Sequence, residues 1–301
     1  MAKTFLKGGS AIPKIAVILP VYNAEKYIAE TLDSIKKQTV KPYQIIMVND
    51  CSTDNSFKVA HEWVKQNKIP ITFYKNLENS GIGFTRDAGL NHCEADYITY
   101  LSSDDVWHPE FLEKCLPYLN ERSAVFTDYY QCDQYLKPFN IYHAPKENMR
   151  EKIVEFALEK NMFVNFSNVV FPKQIFTHCR FTKELRHGED LIFLLDTVIN
   201  GLEYTHITEP LSYYRIHPKQ GTNIHDVEEW KQLWRYIRIR LLLLGIPENI
   251  IEESKAKNYN DLYPHQTFAL STRKNIVKLL NRNKYGLKTK TMIKKIMKVR
   301  N

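Results

Sequence analysis

The sequence predicts an α/β fold: a mostly parallel central sheet flanked by helices, with a C-terminal α-helical appendage. Three observations carry this expectation. Between Lys14 and Asn120, short apolar runs alternate four times with amphipathic segments, over links too short for anything but a sheet covered on both faces. The polar loops all fall at the same, C-terminal ends of those runs, where open α/β sheets bind ligands. Beyond His225, apolar residues recur at helical spacing.

Lys14-Ile15-Ala16-Val17-Ile18-Leu19 reads as a first buried strand, ending at Pro20-Val21-Tyr22-Asn23, with Asn23 able to cap the helix that follows. Ile28, Leu32 and Ile35 share one face of that helix. Gln44 to Val48 is a second strand running into Asn49-Asp50-Cys51-Ser52-Thr53-Asp54, and Phe57, Ala60 and Val64 mark the next helix. Ile71 to Tyr74 is a third strand, followed by a loop over 76–83 and a helix from Phe84 to His92. Tyr97 to Leu101, aromatic and β-branched, is a fourth strand. It stops at Ser102-Ser103-Asp104-Asp105, and Pro109 opens a helix with Phe111, Leu112, Cys115, Leu116 and Leu119 at its apolar spacing. Further on, Ala124 to Thr127 is a candidate strand, residues 129–149 read as a loop, Glu151 to Glu159 as a helix and 163–171 as a strand leading to Pro172. Gly188-Glu189-Asp190 begins an apolar helix, and Tyr213 to His217 closes a short strand.

Composition narrows the function. The 301 residues are 44% hydrophobic and 25% charged, as in an ordinary globular protein. Five cysteines, with no CxxC pair, fit a reducing compartment better than a disulfide framework or a zinc site. No apolar run is long enough to span a bilayer, and the first fourteen residues lack the apolar core of a signal peptide, so a cytoplasmic-type chain is expected. The net charge of +8 belongs to the tail: from Arg273 onward there are eleven Lys/Arg and no acid, against 31 basic and 34 acidic residues before it. With the basic excess so confined and no nucleic-acid motif, nucleic acid is not an expected partner. Neither GxGxxG nor GxxxxGK[ST] is present, which leaves a dinucleotide or P-loop reading without its phosphate cradle.

Adjacent carboxylates repel, so Asp104 and Asp105 need water, hydrogen bonds or a cation between them. At a sheet edge, such oxygen ligands suit Mg²⁺ or Mn²⁺ completed by phosphate oxygens, although a solvated turn ending in helix-capping acids would use the same residues. Glu189 and Asp190 likewise sit where a helix dipole favours acids.

Taken together, Ile18-Leu19-Pro20-Val21-Tyr22-Asn23, Met47-Val48-Asn49-Asp50-Cys51-Ser52-Thr53-Asp54, Asn79-Ser80-Gly81 with Thr85-Arg86-Asp87-Ala88-Gly89, Ser102-Ser103-Asp104-Asp105, Gly188-Glu189-Asp190 and Tyr214-Arg215-Ile216-His217 occur in the order of one family. Over residues 14–223 the chain resembles the family 2 glycosyltransferases, inverting enzymes of the Rossmann-like GT-A fold. The resemblance implies that Pro20, Val21, Tyr22 and Asp50 hold the nucleotide base, that Arg86 faces the diphosphate, and that Ser103 and Asp104 contact the nucleotide-sugar. It also implies Asp105 as the Mn²⁺ or Mg²⁺ ligand, with His217 as a further metal or phosphate contact, and Thr222 and Asn223 in the segment that closes over the diphosphate. Asp190 becomes the catalytic base that takes the acceptor hydroxyl proton, with Glu189 orienting the acceptor. Two positions depart from the family pattern, since Ser102 and Asn49 stand where relatives usually carry acids.

These residues imply a glycosyltransferase domain over 1–223 and a basic helical region over 224–301. In the latter, Trp230, Leu233, Trp234, Ile237 and Leu241 form one stripe, and Ile276, Leu279, Leu280, Met292, Ile293, Ile296 and Met297 form others among lysines. A basic amphipathic helix suits an anionic membrane surface, although such a stripe also docks on a domain. The expected activity is transfer from a UDP-sugar donor to a lipid-linked glycan or oligosaccharide, at the inner face of the cytoplasmic membrane, in bacterial surface polysaccharide synthesis of the O-antigen or capsule kind. A silent nucleotide-binding scaffold and a sugar nucleotidyltransferase are the alternatives. The second lacks a glycine-rich basic loop after the first strand.

Overall fold

The computed structural model describes residues 12–144, 148–159, 165–218, 220 and 227–262. Strands β1 (Ile15–Val21), β2 (Gln44–Asn49), β3 (Thr72–Lys75) and β4 (Tyr97–Tyr100) pair in parallel in the order β3-β2-β1-β4. All seven residues of β1 are buried, because both faces of a parallel sheet are covered. Helices α1 (Ile28–Lys36) and α2 (Ser56–Asn67) cover one face with Ile28, Leu32, Ile35, Ala60 and Trp63; α3 (Ile82–Leu90) lies on the other. α3 approaches the sheet so closely that a Cβ on Gly89 would meet Ile18 Cγ2 at 2.5 Å.

The second half of the sheet is mixed. It contains β5 (Val106–Trp107), β6 (Ser123–Cys132), β7 (Pro138–Tyr142), β8 (Val169–Pro172) and β9 (Glu203–Arg215), with α4 (Phe111–Cys115) between β5 and β6. β8 runs antiparallel to β4 and β6, so β6 is parallel to β4; β9 then joins β6 in parallel, and β5 and β7 pair antiparallel to β9 and β6. Three expectations are corrected. The span 129–149 is largely a β6–β7 hairpin rather than a loop, its strand pattern hidden because β7 is exposed along most of its length. Residues 166–168 form a 3₁₀ turn, so the strand there is only Val169–Pro172. Asn23 does not cap α1 either; it takes φ 49°, and its side chain accepts the backbone N–H of Thr53 at 2.8 Å, tying the first two loops together.

Helices α5 (Met149–Glu159), α6 (Glu189–Ile199), α7 (Val227–Leu243) and α8 (Glu248–Leu262) pack on the α3 side. Trp230, Leu233, Trp234, Ile237 and Leu241 of α7 are buried in the same apolar cluster as β1, β4 and α6. The beginning of the expected appendage is therefore continuous with the core of the sheet. The basic stretch beyond it, and Thr222 and Asn223, lie outside the described residues. Among the described residues no helix is long and apolar enough to cross a membrane.

Candidate active site

The loops after β1 and β2 meet at the sheet edge. Pro20 closes β1 beside Val48, Val21 is buried and its carbonyl accepts the Asp50 N–H at 2.8 Å, while Tyr22 is 49% exposed and open to a ligand. Asp50 itself is buried: Oδ1 accepts from Asn76 Nδ2 (2.7 Å) and the Ser80 N–H (2.8 Å), and Oδ2 from the Gly81 N–H (2.9 Å). It shapes the loop before α3 as well as facing the edge. A carboxylate oxygen has room for a second donor, so Oδ2 can still take an N–H from a base.

The turn after β4 treats its two acids differently. Thr31 Oγ1 of α1 donates to the carbonyls of Ser103 (3.1 Å) and Asp105 (2.8 Å), pinning the turn from below. Asp105 is buried, with Oδ1 accepting the Arg215 N–H (3.0 Å) and Oδ2 accepting from Ser167 Oγ (2.6 Å) and Asn165 Nδ2 (3.1 Å). Burial, then the neighbouring Asp104, pushes its carboxyl up to about 7. Asp104 faces outward, its side chain 23% exposed, and its Oδ2 lies 3.0 Å from His217 Nε2. The sequence expectation of Asp105 as the cation ligand thus meets a carboxylate engaged from inside by three donors. The open carboxylate beside an imidazole is Asp104.

Arg215, which sequence reasoning left without a role, organises this turn. It is 1% exposed, donates from Nε to the Asp104 carbonyl (2.7 Å), from Nη1 to the Gln134 carbonyl (2.6 Å) and from Nη2 to Glu30 Oε2 (2.6 Å). Its guanidinium lies 4.5 Å from the Tyr27 ring, which also touches the His217 ring at 4.9 Å. An arginine in a strand between Tyr214 and Ile216 was the available signal: a charge can be buried there only with partners.

At the start of α6, Gly188 takes φ 77°, and a Cβ there would meet Leu233 Cδ2 of α7 at 2.7 Å. This fixes the helix N-terminus that carries Glu189 and Asp190. Arg86 of α3 was expected to face a diphosphate, but Nη1 pairs with Glu189 Oε1 at 2.7 Å and both side chains are nearly buried. The guanidinium is boxed by Phe166, Phe181 and Tyr100 at 4.7, 5.3 and 5.8 Å, an apolar cage that directs it to Glu189. Gly83 lets α3 approach, since a Cβ on it would meet Glu189 Cγ at 2.9 Å. Burial, then Asp190, pushes the Glu189 carboxyl up to about 7 against the pull of Arg86. Burial raises Asp190 too, opposed first by Arg86, while Asp190 Oδ1 accepts the Leu191 N–H at 2.7 Å. Asp190, half-buried, is the less enclosed of the two acids.

Among the described residues no group of three or more His, Cys, Asp and Glu side chains could hold a metal by itself. The pair Asp104 and His217 nevertheless suits a hard divalent cation that keeps most of its shell for phosphate oxygens and water.

Known proteins resemble this chain in sequence and in fold. The family model "Glycosyl transferase family 2" matches residues 16–178. The putative teichuronic acid biosynthesis glycosyltransferase TuaG of Bacillus subtilis is 29% identical over 208 residues, covering 68% of this chain and 79% of that one. The poly(ribitol-phosphate) β-N-acetylglucosaminyltransferase TarS of Staphylococcus aureus is 25% identical over 252 residues, covering 78% of this chain and 42% of that longer enzyme. The crystal structure of TarS residues 1–349 with UDP-GlcNAc superposes with a TM-score of 0.64 at 19% identity, covering 94% of this chain and 79% of that one. The mannosyltransferase PcManGT of Pyrobaculum calidifontis, in complex with GDP-Man and Mn²⁺, superposes with a TM-score of 0.54 at 14% identity, over 96% of this chain and 86% of that one. With more than half of its length matched by the family model, on a GT-A sheet that gathers the acids at one edge, this chain belongs to glycosyl transferase family 2.

Proposed function

We propose that this protein transfers a sugar from a UDP-sugar to a hydroxyl of a glycan acceptor, with inversion, using Asp190 as the base. The observation that carries the reading is the start of α6: a half-buried carboxylate raised by its surroundings, beside an acid already neutralised by Arg86. A carboxylate raised by its surroundings suits proton removal from a hydroxyl. In one displacement the acceptor oxygen attacks the anomeric carbon, its proton passes to the Asp190 carboxylate, and the bond to the β-phosphate oxygen breaks with its electron pair leaving on UDP. Glu189, held by Arg86, fixes the helix start and hence the direction of Asp190. Arg86 acts on the acids rather than on the diphosphate.

Tyr22 and Asp50 bind the base: the exposed ring stacks on it and the Asp50 Oδ2 accepts an imide N–H. Ser103 and Asp104 lie next to the sugar-phosphate. Asp104 with His217, rather than Asp105, would hold Mn²⁺ or Mg²⁺, and such a cation supplies neutralisation of the charge that grows on the departing diphosphate. The UDP donor is supported by the UDP-GlcNAc complex of TarS, and the divalent ion by the Mn²⁺ complex of PcManGT.

The acceptor is a growing surface polysaccharide carried on a lipid, and the enzyme works at the inner face of the cytoplasmic membrane. Supporting this are the wall-polymer names of TuaG and TarS and the eleven cations from Arg273 onward. Anionic lipid contributes about 1 kcal/mol per basic residue held near its surface. The test of the activity is UDP release from a panel of UDP-sugars with wild type and Asp190→Asn. The account expects the variant to bind UDP normally and to lose at least a hundredfold in transfer. Equal turnover by the two would remove Asp190 from the mechanism. A wild type that binds UDP and transfers nothing to any acceptor would favour a silent scaffold.

A further inference from the structure

Two polar side chains of α7, Glu229 and Gln232, have no part in the mechanism above and yet end on the loop that leads into α6. His187 Nδ1 lies 3.0 Å from Glu229 Oε2, and Gln232 Nε2 donates to the Glu184 carbonyl at 3.2 Å. A carboxylate only accepts, so Nδ1 of His187 carries the hydrogen of the first bond. Glu229, Gln232 and Leu233 stand at i, i+3 and i+4 of one helix. One face of α7 therefore meets residues 184–188 at three points, the third being Gly188 under Leu233.

The end of the loop depends on these contacts. Phe181 and Leu185 seat its earlier part in the apolar cluster, but His187 and Gly188 bring no apolar side chain to it. Its own backbone adds little, since the bond within 182–187 is a long one, from the Leu185 N–H to the Thr182 carbonyl at 3.5 Å. Leu233 acts in one direction only: steric contact stops Gly188 from moving toward α7 and does nothing to stop it moving away. The bonds to His187 and Glu184 act in the other direction. Further along, Arg240 of α7 grips Asp196 of α6 through Nε (2.9 Å) and Nη2 (2.8 Å). With Gly188 against Leu233 and Asp196 against Arg240, the two helices run side by side in the same direction, and α7 is a splint that resists sliding and tilting of α6. Asp190 stands two residues beyond Gly188.

We propose that Glu229 is a positioning residue for the base: through its bond to His187 it holds the start of α6, and with it the Asp190 carboxylate, at the acceptor hydroxyl. This rests on Asp190 being the base. Glu229 and His187 act through the helix and not on the substrate. A displacement of about 1 Å at a reacting group can lower a rate about a hundredfold. A bond that secures the helix start is therefore read in kcat. Donor binding is spared, because Tyr22, Asp50 and Asp104 sit on the loops after β1, β2 and β4, which none of the three α7 contacts touches.

The test compares full chains of wild type, His187→Ala, Glu229→Ala, the double variant, Glu229→Gln, Ile250→Val and Asp190→Asn. Each is read by UDP release from UDP-glucose, UDP-galactose and UDP-N-acetylglucosamine with methyl glycosides of hexoses as acceptors, and by UDP affinity in calorimetry. His187→Ala and Glu229→Ala should each lower kcat at least tenfold and leave UDP affinity within twofold. The double variant should lose no more than the more damaged single one, because both remove the same bond. Glu229→Gln, whose amide oxygen still accepts from Nδ1, should keep kcat within threefold of wild type. Ile250→Val loosens α8 in the same apolar cluster, away from the loop, and should leave kcat within twofold. A kcat within twofold of wild type in both alanine variants would overturn the role, as would multiplied losses in the double variant or an equal fall in Ile250→Val. Wild-type turnover by Asp190→Asn would remove the base itself, and a wild type that releases no UDP would strike the activity and this role with it.

Discussion

At the scale of single residues, the acids are sorted by what surrounds them. Glu189 is pushed up to about 7 by burial and then by Asp190, and Asp190 is raised by burial. A protonated Asp190 cannot accept the acceptor's proton, so transfer should fall on the acid side, from a pH above the usual carboxylate range, and level off at higher pH. Glu189→Gln removes one acid and leaves Arg86 to Asp190 alone, which should move the acid limb of a kcat-against-pH profile to lower pH. A profile flat across the acid side in wild type would contradict this. Arg215 is the second residue whose environment sets its role, since it joins the Asp104 carbonyl, the Gln134 carbonyl and Glu30. Arg215→Ala empties a buried site and unties the Asp104 and Gln134 carbonyls and Glu30 from one another, and should cost about 3 kcal/mol in urea unfolding. It should also weaken metal-dependent UDP binding, because the turn holding Asp104 is released. The chain order alone could not separate Asp104 from Asp105. Neighbours in a turn point differently because the Arg215 N–H, 110 residues away, and the side chains of Ser167 and Asn165 reach Asp105. Arg86 likewise turns toward Glu189 because the rings of Phe166 and Phe181 box its guanidinium, a direction that its place on α3 does not reveal.

Elements position these residues through close approaches. The start of α6 is fixed where Gly188, at φ 77°, lies under Leu233 of α7. Gly188→Ala combines a left-handed backbone, costing about 1–2 kcal/mol, with overpacking of about 1–3 kcal/mol. It should lower the thermal midpoint and reduce transfer more than UDP affinity, because the displaced helix carries Asp190. Adding Leu233→Ala should recover part of both, as measured by melting and by kcat. The first half of the sheet was legible, from β1 to β4, because each buried parallel strand is a continuous apolar run and each helix shows its stripe. The second half was not. β7 is exposed along most of its length and β9 alternates Thr, His and Glu with apolar residues over thirteen positions, so neither carries the pattern of a buried strand. Their partners are distant in sequence, and pairing rather than propensity makes them strands.

For the molecule as a whole, α7 and α8 belong to the apolar cluster that covers the α3 face of the sheet. Trp230 is 2% exposed and shares a cluster with Phe193, Tyr100 and Ile18. Because α7 and α8 complete the apolar cluster on one face of the sheet, calorimetric and van't Hoff enthalpies should agree, and ending the chain before Val227 should leave it unable to fold. Two separated transitions would restore an independent appendage. Trp230→Ala should cost about 3–5 kcal/mol, checked by denaturant unfolding. In the proposed layout the loops after β1, β2 and β4 serve the donor, and the start of α6 supplies the base. The most direct test of that layout is a calorimetric titration of UDP, with and without Mn²⁺, on wild type and Asp104→Ala. The account predicts UDP binding strengthened by Mn²⁺ in wild type, with that strengthening lost in the variant; no binding of UDP under either condition, or an equal effect of Mn²⁺ on both proteins, would contradict it.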